Sequence, residues 1–144
     1  MMNTPTAPSS PTPSKAPQVK AMTKKKKILL VDDDDAVIAY LSIKLARNYE
    51  VISTSEPLRA VVMAKRELPD LILSDIDMPE MSGGDLASAL AEDSVTAAIP
   101  LLYLTNLVSP EETKELGGMV GGRPGIAKRA PLADLMNRIE QMTT

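Results

Sequence analysis

The chain has 144 residues, 44% of them hydrophobic, and a formal net charge of −3, which suits one domain with an ordinary core. It contains no cysteine and no histidine, which excludes disulfides, thiol chemistry, zinc–histidine sites and histidine general bases within the chain. Phenylalanine and tryptophan are also missing and there are three tyrosines, so the core must be Leu, Ile, Val, Met and Ala, with nine methionines as adaptable filler.

Residues 1–25 are rich in Pro, Ser, Thr and Lys. They offer too little apolar surface to pack and are expected to be disordered, with the folded domain over 26–144. Six lysines and no acid precede residue 28; after it, ten basic side chains stand against nineteen acidic ones, a net of about −9. The run Lys24-Lys25-Lys26-Lys27 reads as solubilising charge ahead of a hydrophobic strand. No basic recognition helix or basic–aromatic pattern follows, so no direct nucleic-acid contact is expected.

The apolar run 28–31 reads as a strand covered on both faces, and it ends in Asp32-Asp33-Asp34-Asp35. Val37, Ile38, Leu41 and Leu45 recur at helical spacing. One of Asp33 to Asp35 serves as N-cap, Asp34 and Asp35 read as helix-start acids, and Asn48 is the expected left-handed C-cap. Residues 50–54 read as a second strand. Pro57 opens a helix whose apolar face is Leu58, Val61 and Val62. Residues 71–74 form a third apolar run, ending at Asp75. A loop containing Asp77, Met78, Pro79 and Gly83 leads to a short helix expected over 84–93. Residues 99–104 read as a fourth strand ending in Thr105. Ser109-Pro110-Glu111-Glu112 is a helix start: N-cap, proline at the first position, then two acids. Gly121 is the expected stop. Residues 125–127 read as a short strand ending in Lys128, and Leu132, Leu135, Met136 and Ile139 mark a last helix.

Five alternations of strand and helix predict an α/β fold: a doubly wound, five-stranded parallel sheet with helices on both faces. Such sheets bind ligands beyond the carboxyl ends of the strands, where the strand order reverses. The residues at those ends are an acid cluster, an acid, a hydroxyl and a lysine, in that order. This set resembles the site of a response-regulator receiver domain of the CheY-like, flavodoxin-like kind, in its stand-alone form. The resemblance spans about residues 26–142.

It implies strand order 2-1-3-4-5, which brings Asp32, Asp33 and Asp75 together. It implies that Asp75 accepts a phosphoryl group, that Thr105 is the switch hydroxyl and that Lys128 pairs with the phosphoryl group. Mg²⁺ would be held by Asp32, Asp33, Asp75 and the backbone carbonyl of Asp77. Such a protein catalyses only its own phosphorylation and dephosphorylation. Its donor would be a sensor histidine kinase or histidine phosphotransfer protein, since this chain has no histidine of its own. It would then bind an unknown downstream protein or pass phosphate along a relay. No apolar stretch approaches 18 residues and no secretory signal is present, so no membrane insertion and a cytoplasmic location are expected.

Three positions depart from the receiver pattern. The aromatic residue usual three places before the lysine is Gly125 here, within a segment, 117–125, that holds five of the seven glycines. The proline usual after the lysine is Arg129, which predicts a trans peptide there because a non-proline cis bond costs about 3–4 kcal/mol. Asn106 is larger than the residue usual after the switch hydroxyl. These departures leave open a receiver-like interaction module that works without phosphate. Asp75-Ile76-Asp77 also resembles the Asp-x-Asp motif of haloacid-dehalogenase-type enzymes, although that family carries it on its first strand.

Overall fold

The computed structural model of the protein describes residues 24–144, so the expected disordered tail falls almost wholly outside the described residues. Eleven elements follow one another. They are β1 (Lys26–Val31), α1 (Asp35–Leu45), β2 (Tyr49–Thr54), α2 (Pro57–Glu67), β3 (Leu71–Ser74) and α3 (Gly83–Ala91). Then come β4 (Leu101–Thr105), α4 (Pro110–Glu115), β5 (Met119–Val120), β6 (Arg123–Ala127) and α5 (Leu132–Thr143).

The strands lie in the order β2-β1-β3-β4-β6-β5. The first five are parallel, in the order the family resemblance implies. The sheet has one strand more than expected: β5 pairs antiparallel with β6 at the edge. Gly121 and Gly122, both at positive φ, make the two-residue turn between them. A two-residue strand is too short to carry a period, so the sequence does not announce it.

Alternation along each strand builds two half-cores. Ile28, Leu30, Leu71 and Leu73 pack with Leu41 and Leu45 of α1 and Leu135 and Ile139 of α5. Leu29, Val31 and Ile72 face the other way, onto Ala60 and Ala64 of α2 and Leu86 and Leu90 of α3. Central strands buried on both faces explain why the runs are continuously apolar. Full burial of each such side chain contributes about 1.5–3 kcal/mol.

The helix starts follow the chemistry of the sequence. Asp34 caps α1 by accepting from the Ala36 N–H. Ser109 and Glu112 form a reciprocal capping box on α4, with Pro110 at the first turn. Ser82 caps α3, which begins at Gly83 and ends at Ala91.

Two expected helix ends are corrected. Asn48 is not left-handed: α1 closes through the Ala46 N–H on the Ser42 carbonyl, and Asn48 donates to the Leu45 carbonyl in a tight turn that delivers buried Tyr49 to β2. Helix α4 does not run to Gly121 but stops at Glu115, because Gly117 and Gly118 both take positive φ and turn the chain back. The left-handed helix end that does occur without glycine is Leu68, at φ 47 after α2.

The lysine run is tied to the fold. Lys25 donates to the Ala46 carbonyl at the end of α1, and Lys27 pairs with Glu67 at 3.1 Å. No helix among the described residues is long and apolar enough to cross a membrane.

Candidate functional site at the carboxyl ends of the strands

Strand β1 lies between β2 and β3, so its carboxyl end is where the chain leaves in opposite directions. The Asp75 N–H donates to the Val31 carbonyl at 2.9 Å, which carries the pairing of β1 and β3 one residue beyond Ser74. The Asp32 N–H donates to the Thr54 carbonyl on the other side. Two carboxylates 43 positions apart thus stand side by side. Asp33 joins them: one oxygen from each of Asp32, Asp33 and Asp75 lies within 4.8 Å of the others.

Burial grades the three. Asp32 is fully buried, Asp75 is 7% exposed and Asp33 is open to solvent. The Asp32 Oδ1 accepts from the Asp34 N–H at 2.9 Å. Its Oδ2 meets the Lys128 ammonium at 2.7 Å and has no other partner among the described residues. The same ammonium lies 3.5 Å from Asp75 Oδ1. Lys128 is delivered from the end of β6, where its N–H donates to the Thr105 carbonyl at 2.8 Å.

The charges shift one another. Burial pushes the Asp75 carboxyl above the usual carboxylate range, and the Asp32 charge pushes it further; Lys128 and the Ile76 and Asp77 N–H groups offset part of this. Burial works against the Lys128 ammonium. The hydrogen bond and charge of Asp32, with the charge of Asp75, overcome it and hold the ammonium above its ordinary value. Lys128 is therefore a cation at neutral pH.

The predicted residues do not all meet. Asp32, Asp33, Asp75 and Lys128 form one cluster. Thr105 is buried at the end of β4, but its hydroxyl accepts from the Leu107 N–H at 3.0 Å instead of bonding Asp75. The Asp77 side chain is exposed on the loop after β3 and lies outside the carboxylate cluster, while its N–H points back to Asp75. The peptide bonds of the described residues are trans, that between Lys128 and Arg129 included.

Of three further residues around the site, Gly83 belongs to the motif loop after Asp75, and Arg138 and Tyr103 carry no motif signal. Gly83 lies so close to the acceptor loop that a Cβ on it would stand 2.5 Å from the Asp75 carbonyl oxygen. Arg138 of α5 donates to the carbonyls of Gly118 and Gly125, pinning the base of the β5–β6 hairpin. Tyr103 is buried on β4, two residues before Thr105. Its alternation with Leu102 and Leu104 marks it as facing the other half-core, the only hint in the sequence.

The donor set is all hard oxygen, with neither imidazole nor thiolate available. Three convergent carboxylates facing a single ammonium leave excess negative charge, which suits a hard divalent cation.

Comparison with known proteins shows the family and the fold. Residues 28–140 match the family model of the response regulator receiver domain. The structure is similar to that of the chemotaxis protein CheY4 of Vibrio cholerae, with a TM-score of 0.69 and 29% identity, covering 82% of this chain and 98% of that one. In sequence it is 42% identical over 73 residues to the response regulator PleD of Caulobacter vibrioides, which is 50% of this chain and 16% of PleD. It is 40% identical over 60 residues to the polar-differentiation response regulator DivK of Brucella anthropi, 42% of this chain and 49% of DivK. The chain spans less than half the length of these two curated relatives.

Proposed function

The chain belongs to the response regulator receiver domain family, and from that premise we propose that Asp75 accepts a phosphoryl group from the phosphohistidine of a sensor histidine kinase or histidine phosphotransfer protein. The P–N bond of the donor breaks as an oxygen of Asp75 bonds to phosphorus. The observation that carries this reading is the Lys128 ammonium, 2.7 Å from Asp32 and 3.5 Å from Asp75. It supplies a fixed positive charge where an incoming phosphoryl group would need one.

Each side chain has a part. Asp75 is the nucleophile, and the burial and negative neighbour that raise its basicity also favour its bonding to an electrophile. Lys128 is shared between two carboxylates and can turn to a phosphoryl oxygen without leaving Asp32 unpaired. Thr105 would give its hydroxyl proton to another phosphoryl oxygen. Its oxygen now accepts from Leu107, so that change would draw the chain after β4 with it. Asp32, Asp33, Asp75 and the carbonyl of Asp77 would hold Mg²⁺. When bound, the cation neutralises charge shared by the carboxylates and the phosphoryl oxygens.

The cytoplasm is the proposed location, and signalling proceeds by binding a downstream protein or relaying phosphate. A module that works without phosphate is less well supported, because the acid–lysine cluster is complete.

Incubation with acetyl phosphate and Mg²⁺, followed by intact mass measurement, tests the reading. The wild-type chain is expected to gain one phosphoryl group and Asp75→Asn none. Undiminished labelling of Asp75→Asn would overturn the assignment.

A further inference from the structure

Gly125 lacks the side chain that would occupy the space behind β6, and the structure fills that space from the hairpin. A Cβ built on Gly125 would stand 2.6 Å from Val120 Cγ2 and 2.9 Å from Val120 Cβ. The position is taken by a residue of β5. Across the sheet, Gly125 pairs with Tyr103 of β4, and the same built Cβ would lie 3.5 Å from Tyr103 Cβ.

The Tyr103 ring extends from there toward the acceptor loop. Its Cε1 would be 3.1 Å from a Cβ on Gly83, the glycine that abuts the Asp75 carbonyl. Tyr103 is 4% exposed, and among the described residues its hydroxyl makes no hydrogen bond. It therefore acts as a rigid body held by packing. A line of neighbours results: the Asp75 backbone, Gly83, Tyr103 with its ring at Gly83 and its Cβ beside Gly125, and Val120 on the far side of Gly125. Close-packed interiors transmit displacements along such lines instead of absorbing them.

The hairpin at the far end is tied at its base and turned by glycines. Arg138 anchors its base through the Gly118 and Gly125 carbonyls. Gly117 and Gly118 before it, and Gly121 and Gly122 at its tip, all sit at positive φ where glycine turns without strain.

We propose that Tyr103 is the positioning residue that couples the state of Asp75 to the β5–β6 hairpin, with Val120 as the receiving contact. This rests on Asp75 being the phosphoacceptor. Modification of Asp75 shifts the loop carrying Gly83, the ring follows, and Val120 and its hairpin change conformation. The coupling runs through an aromatic on β4 and an aliphatic on β5, and needs no side chain on β6 at position 125.

The test uses the full chain with Mg²⁺, with and without beryllofluoride, a phosphoryl mimic, read by backbone amide NMR. In the wild type, shifts are expected at 75–77 and also at 117–122. Tyr103→Leu is expected to keep the shifts at the site and lose those of the hairpin. Tyr103→Phe should restore them, because the ring and not the hydroxyl makes the contacts. Should Tyr103→Leu not fold, Val120→Ala decides: it removes the receiving methyls at the sheet edge and should silence the hairpin with the site still responding. Hairpin shifts that persist in Val120→Ala overturn the proposal. So does a wild-type hairpin that stays silent while 75–77 respond. A wild type with no response at 75–77 overturns the phosphoacceptor reading and this coupling with it.

Discussion

Gly83 and Gly84 open the same helix side by side, and the same substitution should act on them with opposite sign. A Cβ on Gly83 would meet the Asp75 carbonyl oxygen at 2.5 Å and the Ile76 Cα at 2.8 Å. Both are backbone atoms, so no side chain can rotate away, and the acceptor loop must shift. Overpacking of this kind costs about 1–3 kcal/mol. A domain of this size loses about 4 °C of Tm per kcal/mol, so Gly83→Ala should melt about 4–12 °C lower. At Gly84 the nearest atoms to a built Cβ are the Ser82 Oγ at 3.7 Å and the Tyr103 hydroxyl at 3.9 Å, ordinary contact distances. Alanine there gains helix propensity of up to about 1 kcal/mol, so Gly84→Ala should melt up to about 4 °C higher. Thermal unfolding followed by circular dichroism in metal-free buffer measures both. Acetyl phosphate labelling should be slower in Gly83→Ala, because the atom displaced belongs to the phosphoacceptor itself. Equal melting temperatures for the two variants would refute the reasoning, since they would show that the loop yields freely.

Without divalent cation, Asp75→Asn should be more stable than the wild type at neutral pH. The folded-state pKa of Asp75 is raised by burial and by Asp32 above its ordinary 3.8, so its favourable contribution is complete below that value and is lost as pH rises through the raised one. The advantage of the amide should therefore shrink as pH falls through the raised value toward 3.8 and change no further below it, and thermal melts across pH in chelator would show it. Lys128→Met removes the only partner, among the described residues, of the buried Asp32 Oδ2 and should destabilise by about 3 kcal/mol. Added Mg²⁺ should raise the Tm of that variant by more than it raises the wild type's, and an equal rise would argue that the cation and the ammonium do not serve the same charge. Leu68→Gly should stabilise by about 1 kcal/mol, because leucine holds φ 47 at the end of α2 where glycine is unstrained. Urea unfolding would measure this, and a loss of stability would show that the exposed leucine makes contacts worth more than the strain.

Much of the fold was legible because its signals are local. Continuous apolar runs at 28–31 and 71–74 mark strands covered twice, and spacings such as Leu41 to Leu45 mark helices, since side-chain period depends only on backbone geometry. Ser109, Pro110 and Glu112 announce a helix start because a cap is made within four residues. The same locality placed Asp32, Asp75, Thr105 and Lys128 at strand ends, and the strand order implied by the family resemblance then brought the acids together. Other features depended on which atoms meet across the sheet. That Lys128 sits closer to Asp32 than to Asp75, that Thr105 spends its hydroxyl on Leu107, and that Val120 fills the space beside Gly125 are set by register and twist between strands distant in sequence. Gly117 and Gly118, not Gly121, ended α4 because glycine permits positive φ anywhere it occurs and only packing decides where it is used. Periodicity is written in neighbouring residues and so the chain determined its elements and their order; contact partners are chosen by the closed sheet, so the tertiary structure alone decided how the site is wired to the rest of the molecule.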